Sequence, residues 1–329
     1  MNILVTRLAR FGDVVLLLPA LTLLKAYYPA CRITFLTDNR FAPLAEMSPA
    51  IDEVIPVDRL AMRDGARLQA LKNMVRVIRR VRSKNFDLAM DFHGFRETNL
   101  LTWLSGAPRR IGMRRSGESF LEFCFNLPLV AEDKTLHVRD MFIRIVKAIG
   151  VNAQTQASPL IVPRENLTWA RLALPPAPYV TLYVDAPTPK RVWPPAHFAA
   201  LADFLVNELE MNVVAIAGPQ GESLLEELKG YSTDSSRIYT AWDLTIPQLA
   251  AAVYGSRLLI SNDTGPMHLG PILGIPTLGL FSIGLPEHFR PAGNTNRFLQ
   301  SDPIEAISVE AVVNEVREMC AIARPDPRR

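Results

Sequence analysis

The segment 262–268 combines residue types that could bind a diphosphate. It follows an apolar run and reads Asn-Asp-Thr-Gly-Pro-Met-His, so a carboxylate, a hydroxyl and an imidazole stand beside Gly265 and a proline. Glycine allows a ligand close to the backbone, proline is favoured at the first position of a helix, and the free amides of a helix start attract phosphate. The alternative is structural, with Asp263 and Thr264 as a helix cap and His268 as a buried side chain.

Asp13 is a second candidate, because a lone carboxylate can take the proton from an attacking hydroxyl. It lies after the apolar residues 2–6, on a predicted loop between the first strand and the first helix. Arg7, Arg10 and Gly12 surround it, and their charge and backbone could bind the phosphate or carboxylate of an acceptor. The alternatives are a helix N-cap for Asp13 and ordinary surface charge for the two arginines.

Two further groups follow predicted strands, where ligands collect in a parallel sheet. Asp91 and His93 indicate either contact with an acceptor or a structural Asp–His pair. Thr188, Lys190 and Arg191 lie in a proline-rich loop after a later strand. Fixed cations and a hydroxyl at that place could stabilise the charge of a leaving phosphate.

The elements that must position these residues alternate along the chain. Short apolar runs and helical patterns follow one another, and the alternation restarts after a proline-rich break at 175–178. This predicts an α/β protein of two Rossmann-like domains with parallel sheets, residues 1–170 and 178–329, whose last helix could pack back on the first domain. We expect the strand ends that carry Asp13 and Asp263 to face each other across one cleft.

Composition excludes several kinds of site. The three cysteines form no CxxC pair or Cys/His cluster, and the chain has no Asp-x-Asp pair, so neither a zinc site nor a metal-bridged diphosphate is expected. The absence of G-x-G-x-x-G after the first strand argues against a dinucleotide-dependent dehydrogenase.

The apolar run 14–24 is interrupted by Pro19 and is too short to span a membrane, so we expect a cytoplasmic protein.

Charge is divided unevenly between the two halves. Residues 1–165 carry 24 Lys and Arg against 16 Asp and Glu, a net charge of +8, whereas the remaining residues carry a net charge of −5. Much of the excess lies in residues 59–84, and a second group lies at 109–115. A basic first half suits an anionic acceptor or an anionic membrane surface, and a solvated helix face is the alternative for residues 59–84.

Four motifs, in order along nearly the whole chain, resemble glycosyltransferase family 9, the ADP-heptose:lipopolysaccharide heptosyltransferases. Asp-Thr-Gly-Pro-Met-His at 263–268 is similar to that family's D-[ST]-G-x-x-H signature. Residues 3–21 resemble its opening strand with Gly-Asp and Leu-Pro-Ala-Leu segments, residues 86–94 resemble its YDxxIDxQG stretch, and Arg-Ile-Gly follows at 110–112. The resemblance implies a metal-independent glycosyltransferase of the GT-B fold that needs no cofactor.

The resemblance also implies roles for individual residues. Asp13 matches the catalytic base, and Glu222 falls near the residue that holds the adenosine ribose, although an exposed glutamate at a helix start is the alternative. The implied reaction is inverting transfer of heptose from ADP-heptose to an inner-core sugar of a lipopolysaccharide precursor, with peripheral contact to the inner face of the inner membrane. The residues that match the nucleotide-diphosphate pocket are Asp263, Thr264, Gly265 and His268.

The loop before Trp193 departs from the family pattern, which is Lys-x-Trp-Pro after a Gly-containing loop. Here Pro187 and Pro189 stiffen the loop, and Arg191 stands in place of the lysine, with Lys190 one residue earlier. Arginine keeps the charge of lysine but not its geometry. The departure leaves open a glycosyltransferase with another nucleotide-sugar donor, and a non-catalytic nucleotide-binding relative is the alternative from another class.

Overall fold

A computed structural model describes residues 1–8, 10–59 and 67–322. The chain divides into two compact units, the first ending at Ile161 and the second beginning at Val162. The second unit thus takes in the helix Arg164–Ala173, which packs against the later helix Ile246–Tyr254. The proline-rich segment 175–178, at which the sequence predicts the break between domains, follows this helix.

The first unit alternates strands and helices, as the sequence predicts. Its sheet has the order β3-β2-β1-β4-β5-β6, and every neighbouring pair is parallel. The strands are β1 (Asn2–Arg7), β2 (Arg32–Asp38), β3 (Glu53–Val57), β4 (Leu88–Asp91), β5 (Arg109–Arg114) and β6 (Val130–Ala131), and the helices are α1 (Phe11–Tyr27), α2 (Ala42–Glu46), α3 (Arg67–Arg82), α4 (Arg96–Leu104) and α5 (Val138–Lys147).

The second unit repeats this topology. Its sheet has the order β12-β11-β10-β7-β8-β9, again parallel throughout. The strands are β7 (Tyr179–Tyr183), β8 (Val213–Ala217), β9 (Ile238–Trp242), β10 (Ser256–Asn262), β11 (Thr277–Phe281) and β12 (Arg297–Gln300), and the helices are α6 (Arg164–Ala173), α7 (Pro195–Asn207), α8 (Glu222–Tyr231), α9 (Ile246–Tyr254), α10 (Leu269–Ile272), α11 (Pro286–Phe289) and α12 (Val309–Ile322).

Both sheets have apolar side chains on two faces, as expected for parallel sheets covered by helices. In β1, Leu4 belongs to a core cluster that includes residues of α3 and α4, while its neighbours Ile3 and Val5 are equally buried on the other face. In the second unit, Val312 and Val316 of α12 lie in the core beneath α7. The last helix is therefore part of the second unit's core. The α/β class with two Rossmann-like sheets is confirmed.

The strand order defines a switch point in each unit, where the connections leave in opposite directions. It lies between β1 and β4 in the first unit and between β7 and β10 in the second. Ligands of open parallel sheets bind beside the carboxyl ends of the strands at such a point. Among the described residues, no helix is long and apolar enough to cross a membrane.

Candidate functional site

Asp13 and Arg7 form an ion pair at the switch point of the first unit. Arg7 is the last residue of β1, and its Nη2 lies 3.0 Å from Asp13 Oδ1. Arg7 also donates to the Phe92 carbonyl and lies over the Phe142 ring, 5.1 Å from its centroid. The arginine side chain is 3% exposed and the aspartate side chain 18%. The carboxylate is thus held by a fixed cation and still reaches solvent.

The surroundings of Asp13 differ from the expected loop. Helix α1 begins at Phe11, so Gly12 and Asp13 lie in its first turn, and the exposed Arg10 is the N-cap without a side-chain capping bond. Asp13 is therefore not the N-cap that the structural alternative required. A carboxylate in the first turn of a helix lies in the favourable field of the helix dipole.

Asp91 holds the turn that follows β4 and is completely buried. Its Oδ1 accepts from the backbone amides of His93 and Gly94 at 2.8 and 3.1 Å, and its Oδ2 accepts from the Thr98 hydroxyl and the Asn99 amide at 2.9 and 2.8 Å. Burial raises the pKa of this carboxyl, and the four donors oppose the shift. Both oxygens are occupied, so Asp91 positions the turn, and its contact with His93 is made to the backbone amide, in keeping with the structural alternative.

His93 is held neutral among cations. Burial, followed by the charges of Arg7, Arg115 and Arg59, lowers its pKa to about 2. Arg115 follows β5 and lies over the Phe95 ring, 4.7 Å from the centroid. Burial and the charge of Arg7 lower the pKa of Arg115 in turn.

Several buried polar atoms in this region lack a hydrogen-bond partner among the described residues. They are Thr6 Oγ1, Arg7 Nε, His93 Nδ1 and Arg115 Nε. Buried polar groups are nearly always bonded, and the usual partner of such atoms is ordered water or a polar ligand.

In the second unit, Arg191 and Asp263 bring two segments 72 residues apart into contact. Arg191 ends a 3₁₀ turn, Pro189–Arg191, after β7, and Asp263 directly follows β10. Arg191 Nη1 lies 3.0 Å from Asp263 Oδ2. Burial raises the pKa of Asp263, and the charge of Arg191 acts against the shift. The pair therefore spans the switch point of the second sheet.

Asn262 fixes the same loop from the end of β10. Its Oδ1 accepts from the Trp193 amide at 3.0 Å and its Nδ2 donates to the Val184 carbonyl at 2.8 Å. The fully buried Trp193 ring donates to the Ile307 carbonyl at 2.9 Å. Asn262 and Trp193 thus hold both ends of the loop that carries Thr188, Lys190 and Arg191.

The turn after β11 adds a second support. Ser282 Oγ donates to the Lys190 carbonyl at 2.6 Å, and Gln300 Nε2 donates to the Ser282 and Gly284 carbonyls at 3.0 and 3.2 Å. A β-carbon at position 284 would collide with Asp263 Oδ2, so a side chain there would displace the carboxylate that pairs with Arg191. The side chain of Lys190 is exposed beside this anchored backbone.

Asp185 connects the loops after β7 and β8. Its Oδ2 accepts from the Gly218 amide at 3.1 Å, and its Oδ1 accepts from the Ala186 amide at 2.7 Å. Side chains at Gly218 or Gly221 would press on this carboxylate. The exposed Glu222 is the first residue of α8 and follows the turn whose Gly218 amide Asp185 binds.

The helix that follows β10 is shorter than the sequence predicts. A 3₁₀ turn, Gly265–His268, precedes the four-residue α10, and Pro266 is the second residue of that turn. Thr264 and Gly265 are half-buried, and His268 is buried. Within the described residues, no group of three His, Cys, Asp or Glu side chains could hold a metal ion.

Similarity to known proteins decides the family. A family model for glycosyltransferase family 9 (heptosyltransferase) matches residues 74–314, which is most of the chain. This chain belongs to that family. It is a glycosyltransferase, and the predicted family is confirmed. Lipopolysaccharide heptosyltransferase 1 of Pseudomonas aeruginosa is 24% identical over 311 residues, covering 92% of this chain and 84% of the relative.

Solved structures show the same fold for this family 9 chain. A glycosyltransferase family 9 protein from Veillonella parvula has a TM-score of 0.85 at 24% identity, with 97% of each chain covered. The E. coli heptosyltransferase WaaC with ADP has a TM-score of 0.81 at 20% identity, covering 97% of this chain and all of that one. The GT-B class expected from the sequence is therefore confirmed.

The sequence did not predict the roles of three residues near the site, which are Arg115, Asp185 and Gly284. Arg115 and Asp185 both follow strands at the edge where ligands collect, and that position was the available signal. Gly284 had no signal, because its requirement comes from the approach of a turn to Asp263. Arg191, Asp263 and Asn262 are brought together as neighbours, whereas Asp91 is withdrawn into the core.

Proposed function

We propose that this family 9 enzyme transfers heptose, with inversion, from ADP-heptose to an inner-core sugar of a lipopolysaccharide precursor. The observation that carries the proposal is an arginine–aspartate ion pair at the switch point of each sheet, Arg7–Asp13 beside β1 and Arg191–Asp263 between β7 and β10. It is supported by relatives named lipopolysaccharide heptosyltransferases and by the E. coli enzyme WaaC solved with ADP-2-deoxy-2-fluoro heptose.

In this proposal the first unit binds the acceptor, and Asp13 is the general base. The acceptor hydroxyl attacks the anomeric carbon, its proton passes to the Asp13 carboxylate, and the bond from that carbon to the phosphate oxygen breaks. Arg7 orients the carboxylate through the 3.0 Å ion pair. Arg10 and Gly12 lie beside it, and the positive charge of Arg115 near Arg7 suits an acidic group of the acceptor.

The second unit binds the donor and stabilises the leaving group. Negative charge develops on ADP as the bond breaks, and fixed donors that already point to it lower the barrier. Lys190 and Arg191 supply positive charge, and the backbone amides near Gly265 supply uncharged donors. We assign Thr188, Thr264, Asp263 and His268 to the diphosphate pocket and Glu222 to the adenosine ribose.

Calorimetric titration with ADP, UDP and GDP tests the donor. ADP is expected to bind at least about tenfold tighter than UDP or GDP, because the three nucleotides differ only in the base and the proposed donor carries adenine. Glu222→Ala should weaken ADP binding, whereas Glu226→Ala, on the outer part of the same helix, should not. Preference for UDP or GDP would replace ADP-heptose by another donor, for which the stiffened loop at Pro187 and Pro189 would be the reason.

A further inference from the structure

Helix α3 presents a basic face to solvent. Lys72, Arg76, Arg79 and Arg82 are exposed, and the helix contains no acidic residue. Positions 72, 76 and 79 recur at helical spacing and share one side. Arg80 is excluded from this face because it pairs with Glu53. Within the described residues, Lys72, Arg79 and Arg82 have no ion pair, so their charge is available to a partner.

An aromatic patch lies on the next helix. Leu100 and Trp103 of α4 are 40% and 46% exposed, and Phe123, in the 3₁₀ turn Glu122–Cys124, is 64% exposed. The Trp103 and Phe123 rings meet edge to face, with centroids 6.1 Å apart. The exposed Arg96 precedes Leu100 by four residues and Trp103 by seven, so it extends the same stripe, with Glu97 and Glu122 as its acidic neighbours.

The basic face and the aromatic patch belong to one side of the first unit. Val77, Ile78 and Val81 of α3 pack into the same core cluster as Leu101 of α4. The two helices also contact each other directly. Because the two helices cover the same face of the sheet side by side, the basic face and the aromatic patch lie on the same side of the unit, which is here called the α3–α4 surface.

We propose that the α3–α4 surface docks on an anionic lipid bilayer. Tryptophan and phenylalanine insert at the level of lipid headgroups, and lysines and arginines beside them are attracted by anionic lipid. The cations of α3 would supply the attraction to anionic lipid. The exposed Trp103 and Phe123 rings would supply the insertion among headgroups. Binding to the bilayer does not depend on the proposed function. The proposed function enters only because an enzyme docked by this surface would reach an acceptor that lies in the membrane.

The test is co-sedimentation of the full chain with phosphatidylcholine vesicles, with and without phosphatidylglycerol. We expect binding to the anionic vesicles that falls with salt. Arg76→Ala with Arg79→Ala should reduce partitioning about tenfold or more, from about 1 kcal/mol for each charge. Trp103→Ala with Phe123→Ala should reduce it at low and high salt alike. Matched controls are Trp242→Ala, 44% exposed in the second unit, and Arg164→Ala with Arg171→Ala on α6.

Several outcomes would overturn the membrane surface. These are equal binding to neutral vesicles, losses in the control variants as large as in the α3–α4 variants, or a dimer in sedimentation velocity that the Trp103 and Phe123 changes dissociate. Thermal denaturation checks that every variant is folded. Transfer to a lipid-free acceptor should be unchanged in the α3–α4 variants, so failure of docking is distinguishable from failure of the proposed function.

Discussion

Asp13→Asn is expected to lower kcat by about 10²- to 10⁴-fold while ADP affinity stays within about twofold. The amide has nearly the shape of the carboxylate and can remain beside Arg7, but it cannot accept the proton of the acceptor hydroxyl. Steady-state kinetics with donor and acceptor, together with calorimetric ADP binding, measure both quantities. A large effect on kcat alone would assign Asp13 to the chemical step.

Asp140→Asn is the matched control for this substitution. Asp140 lies on α5 in the same unit and pairs with its neighbour Arg139 at 3.0 Å, so it resembles Asp13 in partner but lies outside the proposed site. Its turnover should be that of the unchanged enzyme. If Asp13→Asn retained full turnover, or if both variants lost activity equally, Asp13 would not be the base.

Arg191→Ala is expected to reduce kcat/KM for the donor by about 10²- to 10³-fold, the range found when a fixed donor to developing charge is removed. Arg191 ends an anchored loop and lies 3.0 Å from Asp263, so its guanidinium is held in place before the charge develops. Arg191→Lys should recover part of the activity, because the charge returns without the planar geometry.

Chelation of divalent metal should leave the unchanged enzyme active, because protein cations rather than a metal ion are proposed to stabilise the leaving group.

The comparison of variants separates charge from structure. Arg191→Ala leaves the buried Asp263 without its cation, so a stability change can accompany the kinetic one. Lys190→Ala keeps the Arg191–Asp263 pair and removes only an exposed charge. Equal turnover of Arg191→Ala and the unchanged enzyme, with equal melting temperatures, would show that leaving-group stabilisation comes from another group.

The local pattern was sufficient to predict the fold and the position of most candidate residues. Alternating apolar runs predict parallel strands, and strand ends then indicate where Asp13, Arg191 and Asp263 must lie. The pairing of Arg191 with Asp263 was not predictable, because it joins residues 72 positions apart whose approach depends on the order β10-β7.

The remaining differences also have physical causes. Helix α1 begins at Phe11 without a side-chain cap, so no capping residue signalled that Asp13 lies inside the helix. Asp91 has the type and position of a ligand-binding residue, but four donors from the following turn and helix draw it into the core. The basic run at 59–84 lies partly outside the described residues, which begin again at 67.

The most direct test of the account is a crystal structure of the chain with ADP-2-deoxy-2-fluoro heptose. It would give the position of the diphosphate and the position of the anomeric carbon relative to Asp13. The diphosphate is expected against the Lys190 and Arg191 side chains and the amides near Gly265, with the ribose at Glu222. The Asp13 carboxylate should lie on the side of the anomeric carbon opposite the phosphate, with room for one acceptor hydroxyl between. A nucleotide bound in the first unit, or an anomeric carbon that no hydroxyl could bridge to Asp13, would contradict the account.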